Sequence, residues 1–89
     1  MSVETTNDIT MYGTTWCSDC RVAKRVFSQH NIGFTWVDIE QDEAGAAKVL
    51  EINHGNQSVP TIIFSDGSTL TEPSAAVLTQ KLGALGKIA

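Results

Sequence analysis

The sequence predicts an α/β fold with the element order β-α-β-α-β-β-α, in which helices flank a four-stranded mixed sheet. Short apolar and β-branched runs alternate with two stretches of helical periodicity up to residue 52. An Asp-Gly pair at residues 66–67 then separates two further short strands. A right-handed crossover makes the first two strands parallel, and the Asp-Gly hairpin adds an antiparallel pair.

The first strand is expected at residues 9–12, where an apolar run ends in a Gly-Thr-Thr turn. Residues 17–30 have the spacing of an amphipathic helix that ends at Asn31 and Gly33. The apolar face of this helix is expected to carry two pairs of side chains at i,i+4 spacing, Val22 with Val26 and Ala23 with Phe27.

Residues 34–39 are rich in aromatic and β-branched side chains, which predicts the second strand. A second helix is expected at residues 42–52, before a turn of Asn, His and Gly residues. Its apolar face is expected to contain Ala44, Ala47 and Leu50.

The third and fourth strands are expected at residues 61–64 and 69–70, on either side of the Asp-Gly turn. Pro73 suits the first turn of a last helix, because proline lacks the N–H that this position leaves unpaired. The inward side chains of this helix are expected to be Ala76, Val77, Leu82 and Leu85.

Length and charge narrow the class of protein. A chain of 89 residues has room for one domain, expected to span residues 1–89 with residues 1–7 as a flexible polar leader. The formal net charge of -4 argues against nucleic-acid and anionic-membrane partners. The first ten residues lack a signal-peptide pattern, and no apolar run is long enough to span a membrane. We therefore expect a cytoplasmic monomer.

The two cysteines of the chain, Cys17 and Cys20, stand between the first strand and the first helix. A thiol at a helix N-terminus lies where free N–H groups and the helix dipole favour a negative sulfur. The thiolate is the attacking species in disulfide exchange, and a cysteine one turn later can resolve the resulting mixed disulfide. We expect Cys17 to be the exposed nucleophile and Cys20 the more buried resolving thiol.

A pair of cysteines at this spacing is also used in zinc sites. Zinc needs four ligands, however, and the remaining candidates, His30 and His54, are single and far apart in a chain with no further cysteines. We therefore expect both histidines to be solvated surface residues, and we predict no metal site.

The dipeptide Val59-Pro60 stands directly before the third strand. A proline opening a strand is ordinary, but X-Pro bonds can be cis, and a cis proline typically marks a tight functional turn. Together with a strand-cysteine pair-helix unit upstream, this dipeptide favours a redox function. A cis bond would turn the backbone of Val59 towards the thiol.

Three segments, residues 14–20, 55–61 and 66–74, resemble glutaredoxins of the thioredoxin superfamily, and the resemblance runs from residue 9 to about residue 85. The last two segments look particularly similar to mycoredoxins, which use mycothiol in place of glutathione. Glutaredoxins usually have tyrosine where this chain has Asp19, which changes both charge and shape beside the nucleophile.

This resemblance implies a thioredoxin/glutaredoxin-like fold and a thiol-disulfide oxidoreductase without a tightly bound cofactor. Cys17 would attack a mixed disulfide between mycothiol and a protein, and Cys20 would serve an intramolecular dithiol route. Mycothiol is implied as co-substrate in preference to glutathione, with its reductase or a thioredoxin reductase as partner. Pro60 would be cis. The residues implied to hold the small thiol are Trp16, Ser58, Val59, Pro60, Thr71, Glu72 and Ser74.

Two other functions fit the same cysteine pair. One is a redoxin that is recharged by a thioredoxin reductase and supplies electrons to an enzyme such as ribonucleotide reductase. The other is a binding module in which two chains share a [2Fe-2S] cluster through Cys17 and two small thiols.

Overall fold

The computed structural model describes residues 8–88, and the leader expected at residues 1–7 lies outside this range. Seven elements follow one another in the predicted order. They are β1 (Thr10–Gly13), α1 (Ser18–Gln29), β2 (Thr35–Asp38), α2 (Glu43–Ile52), β3 (Thr61–Ile63), β4 (Thr69–Thr71) and α3 (Ala75–Ala84). No helix among these residues is long and apolar enough to cross a membrane.

The four strands form one mixed sheet in the order β2-β1-β3-β4, which confirms the predicted architecture. β1 is parallel to β2 and antiparallel to β3, and β3 is antiparallel to β4. Tyr12 pairs with Thr61, and Thr61 pairs with Thr71. The end of β1, the start of β3 and the end of β4 therefore lie at one edge of the sheet. We call this edge, with the loops that adjoin it, the thiol edge.

Alternation along β1 and β2 sends side chains to two opposite layers. Met11 is fully buried in the main core, and Trp36 packs against that core. Tyr12 and Val37 instead face Gly45 of α2, on the other side of the sheet. Side chains of α1 and α3 complete the main core, which comprises Ile9, Met11, Ala23, Val26, Phe27, Ile62, Phe64, Leu78 and Leu82.

The buried faces of the first two helices differ from those expected from the sequence. In α1, Ala23, Val26 and Phe27 are buried as expected, but Val22 is 36% exposed because the buried stripe runs from Cys20 instead. In α2, the buried residues are Gly45 and Val49, and not Ala44 and Ala47. The close approach of α2 to Val37 needs a residue without a side chain, and only Gly45 meets that need.

The last helix also differs from expectation. Pro73 precedes α3 instead of forming its first turn, and Ser74 is the N-cap, with its hydroxyl accepting the N–H of Val77 at 3.1 Å. Because α3 begins later than expected, a different set of its side chains faces the core. Leu78 and Leu82 are buried, Leu85 is half-buried, and Ala76 and Val77 are exposed.

The Asp-Gly hairpin between β3 and β4 is confirmed. Gly67 has a φ of 85°, a conformation that suits glycine, and its N–H donates to the carbonyl of Phe64 at 2.9 Å. The carboxylate of Asp66 accepts the backbone N–H of Ser68, also at 2.9 Å. The turn fixes the register that carries β4 back to the thiol edge.

Gly13 ends β1 at a position with no room for a side chain. A Cβ atom there would lie 2.5 Å from the sulfur of Cys20 and 2.8 Å from Cη2 of Trp36. The backbone of β1 at Gly13 therefore packs directly against the Cys20 sulfur and the Trp36 ring. Glycine is required here because a side chain would have no space, and not because of the φ angle.

Gly13→Ala is expected to lower the free energy of unfolding by about 1–3 kcal/mol, because the methyl group overpacks Cys20 and Trp36. Gly83→Ala is the matched control, since no atom lies within 4 Å of a Cβ at this exposed position in α3. The control should gain about 0.5–1 kcal/mol from helix propensity. Urea unfolding of the reduced proteins measures both effects, and equal shifts in the two variants would contradict the packing argument.

Candidate active site

Cys17 is the N-cap of α1, with extended backbone angles of φ -80° and ψ 119°. Its sulfur accepts the backbone N–H of Cys20 at 3.1 Å. The expected position at the helix N-terminus is therefore confirmed, while the expectation of an exposed sulfur is wrong, because Cys17 is only 7% exposed. The carbonyl oxygens of Val59 and Thr14 both lie against this residue.

The loop before β3 lies opposite Cys17. The thiol of Cys17 donates to the carbonyl oxygen of Val59 at 3.7 Å. The Val59-Pro60 bond is cis, as the resemblance implied, and Pro60 is buried. A backbone acceptor in the loop before β3 thus faces the Cys17 sulfur.

Cys20 is the more buried thiol, as predicted, with 1% of its surface exposed. Burial is the largest cause that raises its pKa from an ordinary 9.0 to about 12, and the hydrogen bond and charge of Cys17 add to the effect. The backbone of Thr14 and the charge of Lys24 act in the opposite direction. Cys20 is therefore a protonated thiol at neutral pH, held behind Cys17.

Lys24 and Trp36 contact each other close to the buried sulfur of Cys20. The Nζ atom of Lys24 lies 3.7 Å from the centroid of the Trp36 ring, within cation–π distance. The same ring borders the space beside Gly13 into which the Cys20 sulfur projects. Lys24 is half-buried by this contact, whereas Arg21 and Arg25 are exposed on the outer face of α1.

Thr14 is a buried polar residue in the loop that leads to Cys17. Its carbonyl accepts the Cys17 N–H at 3.5 Å, and only 4% of the surface of Thr14 is exposed. Its hydroxyl has no hydrogen-bond partner within the described part of the chain. Sequence reasoning did not single out this threonine.

The structure brings most of the predicted thiol-binding residues to one edge. Glu72 donates its backbone N–H to the carbonyl of Pro60 at 2.8 Å, which joins the loop before β3 to the loop after β4. Glu72 has a φ of 51°, in the left-handed region. Ser58 and Thr71 flank this junction, and the hydroxyl of Ser74 caps α3 next to it.

Trp16 lies on the outer side of the same edge and is 64% exposed. Its indole N–H donates to Oε2 of Glu40 at 3.0 Å, which fixes the ring over the loop that follows β2. Asp19 is exposed in the first turn of α1. The carboxylates of Asp19, Glu40 and Glu72 are all exposed, in the first turn of α1, in the loop after β2 and just after β4.

Sequence reasoning missed Asn53 and Thr61, which connect the loops of the thiol edge. Thr61 is fully buried, and its hydroxyl donates to the carbonyl of Ser58 at 2.8 Å. Asn53 follows α2 and bonds to both Thr61 and Thr71. The available signals were an asparagine in a turn and a threonine after a proline, and neither indicates such a contact alone.

The two histidines lie away from any cluster of ligands. His30 is the C-cap of α1, and His54 is an exposed turn residue with a φ of 55°. Between residues 8 and 88, no group of three His, Cys, Asp or Glu side chains is placed to hold a metal ion.

A mixed four-stranded sheet with a cysteine pair at the start of α1 and an X-Pro loop opposite defines a thioredoxin-fold dithiol protein. A point variant of a thioredoxin-like protein superposes with a TM-score of 0.72 at 21% identity, over 94% of this chain and all of that one. The glutaredoxin family profile matches residues 9–68. The chain therefore belongs to the glutaredoxin family, whose members are thiol-disulfide oxidoreductases that work with a low-molecular-weight thiol.

Two named relatives agree with this assignment. A predicted glutaredoxin of Mycobacterium tuberculosis is 45% identical over 74 residues, which cover 83% of this chain and 88% of that protein. Mycoredoxin 1 of Corynebacterium glutamicum is 38% identical over 80 residues, which cover 89% of this chain and 98% of that protein.

The raised pKa of Cys20 makes folding stability depend on pH. The native state keeps a proton that the unfolded chain loses above about pH 9, so the free energy of unfolding should fall as the pH rises from there towards 12. Urea unfolding under reducing conditions should show a shallower fall for Cys20→Ala than for the wild type. Equal slopes in the two proteins would contradict this assignment.

Proposed function

We propose that this protein reduces mixed disulfides between proteins and mycothiol, with Cys17 as the nucleophile. The observation that carries the proposal is the environment of the Cys17 sulfur. It accepts the N–H of Cys20 at 3.1 Å and faces the carbonyl of Val59 at 3.7 Å. The N–H of Cys20 is directed at the sulfur that takes part in the exchange, and the facing backbone offers an extended substrate a place to align.

In the first step, the Cys17 thiolate attacks the mycothiol sulfur of the mixed disulfide. A new S–S bond forms between Cys17 and mycothiol, and the bond between mycothiol and the protein breaks. The protein leaves as a thiolate and takes a proton from water. The N–H of Cys20 stays directed at the Cys17 sulfur. It can stabilise the Cys17 thiolate that forms if the new S–S bond breaks again.

In the second step, a mycothiol thiolate attacks the mycothiol sulfur bound to Cys17, which gives mycothiol disulfide and restores the Cys17 thiolate. The dithiol route instead uses Cys20, whose thiolate attacks the Cys17 sulfur and expels mycothiol. The hydrogen bond and charge of Cys17 that raise the pKa of Cys20 disappear once Cys17 is in a disulfide, although burial remains. Burial, the largest cause of the raised Cys20 pKa, still disfavours the Cys20 thiolate, so we expect the monothiol route to carry most of the turnover at neutral pH.

The charges around the approach favour mycothiol over glutathione. Asp19, Glu40 and Glu72 are exposed in segments that adjoin the thiol edge, and Arg21 is an exposed cation on α1. Glutathione has two carboxylates, which this edge would repel, whereas mycothiol is an uncharged, hydroxyl-rich thiol. The likeness to mycoredoxin 1 over nearly the whole length of that protein supports the same choice.

A coupled assay tests the proposal. A peptide in mixed disulfide with mycothiol is the substrate, and the electron donor is varied between mycothiol with its reductase, glutathione with its reductase, and thioredoxin reductase alone. Turnover is expected with mycothiol, and it should be much slower with glutathione. Equal or faster turnover with thioredoxin reductase alone would contradict the proposal and favour the redoxin function.

Substitutions of the two cysteines should have different effects on turnover in the same assay. Cys17→Ser is expected to lower turnover by at least about a hundredfold, because the attacking sulfur is lost. Cys20→Ser should retain most of the mycothiol-dependent rate, since the monothiol route does not use Cys20. Wild-type activity in Cys17→Ser would exclude Cys17 as the nucleophile.

A further inference from the structure

We propose that Asn53 is a positioning residue that holds together the two loops of the thiol-binding site. One loop, residues 58–60, lies before β3, and the other, residues 71–74, runs from the last residue of β4 to the N-cap of α3. This inference rests on the proposed function, because it takes these loops as the binding site for the small thiol. Asn53 itself belongs to neither loop.

Asn53 connects both loops through side-chain hydrogen bonds. Its Oδ1 atom accepts the hydroxyl of Thr71 at 2.7 Å, and its Nδ2 atom donates to the hydroxyl of Thr61 at 2.9 Å. Thr61 in turn donates to the carbonyl of Ser58 at 2.8 Å. We call these four residues, Thr71, Asn53, Thr61 and Ser58, the amide relay.

The hydrogen bonds of the amide relay run in one direction. Each threonine hydroxyl has a single proton, and both are donated towards a carbonyl oxygen. The second Nδ2 proton of Asn53 goes to the carbonyl of Val49 at 3.0 Å, which fixes the orientation of the amide group. A carboxylate at this position would lose both donors and place an oxygen against the Val49 carbonyl.

The amide relay ends next to the backbone groups that face Cys17 and that join the two loops. Ser58 directly precedes Val59, whose carbonyl faces the Cys17 sulfur at 3.7 Å. Thr71 directly precedes Glu72, whose N–H donates to the Pro60 carbonyl at 2.8 Å. The amide relay and this backbone bond close a ring of contacts, and the ring sets the distance between the two loops.

Burial differs along the amide relay. Thr61 is fully buried, and Asn53 is half-buried at the end of α2. A buried donor or acceptor that loses its partner is costly, so the Thr61 end of the amide relay resists opening, whereas the bond from Thr71 to Asn53 is exposed. The loops are therefore held in place before the thiol binds, and the thiol does not have to order them.

The test compares Asn53→Asp and Asn53→Ala with the control Asn56→Ala. Asn56 is exposed in the same turn, and its side chain donates only to the Asn53 carbonyl, at 3.2 Å. Two substrates are used with each protein. One is a peptide in mixed disulfide with mycothiol, and the other is the same peptide in mixed disulfide with 2-mercaptoethanol, which is too small to reach the second loop.

Both Asn53 variants should raise KM for the mycothiol substrate by about tenfold, the loss expected for one or two hydrogen bonds in the site. The kcat of that substrate and the KM for the mercaptoethanol substrate should stay unchanged, as should all values for Asn56→Ala. An equal loss on both substrates would show a general structural role and overturn the inference.

Hydrogen exchange measured by NMR separates this inference from the proposed function. In Asn53→Ala, the Glu72 amide should exchange about tenfold faster than in the wild type, with amides in the middle of α1 unchanged. Wild-type protection of Glu72 would overturn the inference. If the wild-type protein does not prefer the mycothiol substrate, the proposed thiol is wrong, and the exchange result alone decides the role of Asn53.

Discussion

The hydrogen bond from the Cys20 N–H to the Cys17 sulfur is the interaction on which the rest of the site depends. All three helices between residues 8 and 88 are capped in the same way, with a side chain accepting the N–H three residues on. Asp42 and Ser74 do this with oxygen, whereas Cys17 does it with sulfur. The group that begins the helix is therefore also the proposed reactive group, so its position is fixed by folding.

Sheet register brings the other half of the site to this sulfur. Because β3 runs antiparallel to β1 and β4 returns beside it, three loops that are distant in sequence end at one edge. The loops remain there through the backbone bond from Glu72 to Pro60 and the side-chain bonds of the amide relay. The carbonyl of Val59 thereby faces the Cys17 sulfur at 3.7 Å, although the two residues are 42 positions apart in the chain.

The sequence was sufficient for the element order, the mixed sheet and the place of the cysteine pair, because these follow from periodicity, turn residues and spacing. It was insufficient where tertiary packing chooses among similar residues. Val22 and Val26 have equal side chains, and only contact with α3 and the sheet decides that Val26 is inside. Asn53 could not be found for the same reason, since its partners Thr61 and Thr71 meet it only after the strands pair.

Selective alkylation tests the central claim, that the sulfur capping α1 is the reactive one. The reduced wild-type protein is treated with a limiting amount of iodoacetamide at neutral pH, and peptide mass spectrometry identifies the modified cysteine. The account predicts label on Cys17 while Cys20, 1% exposed and with a pKa raised to about 12 by burial, stays unmodified. Label that appears first or equally on Cys20 would contradict it.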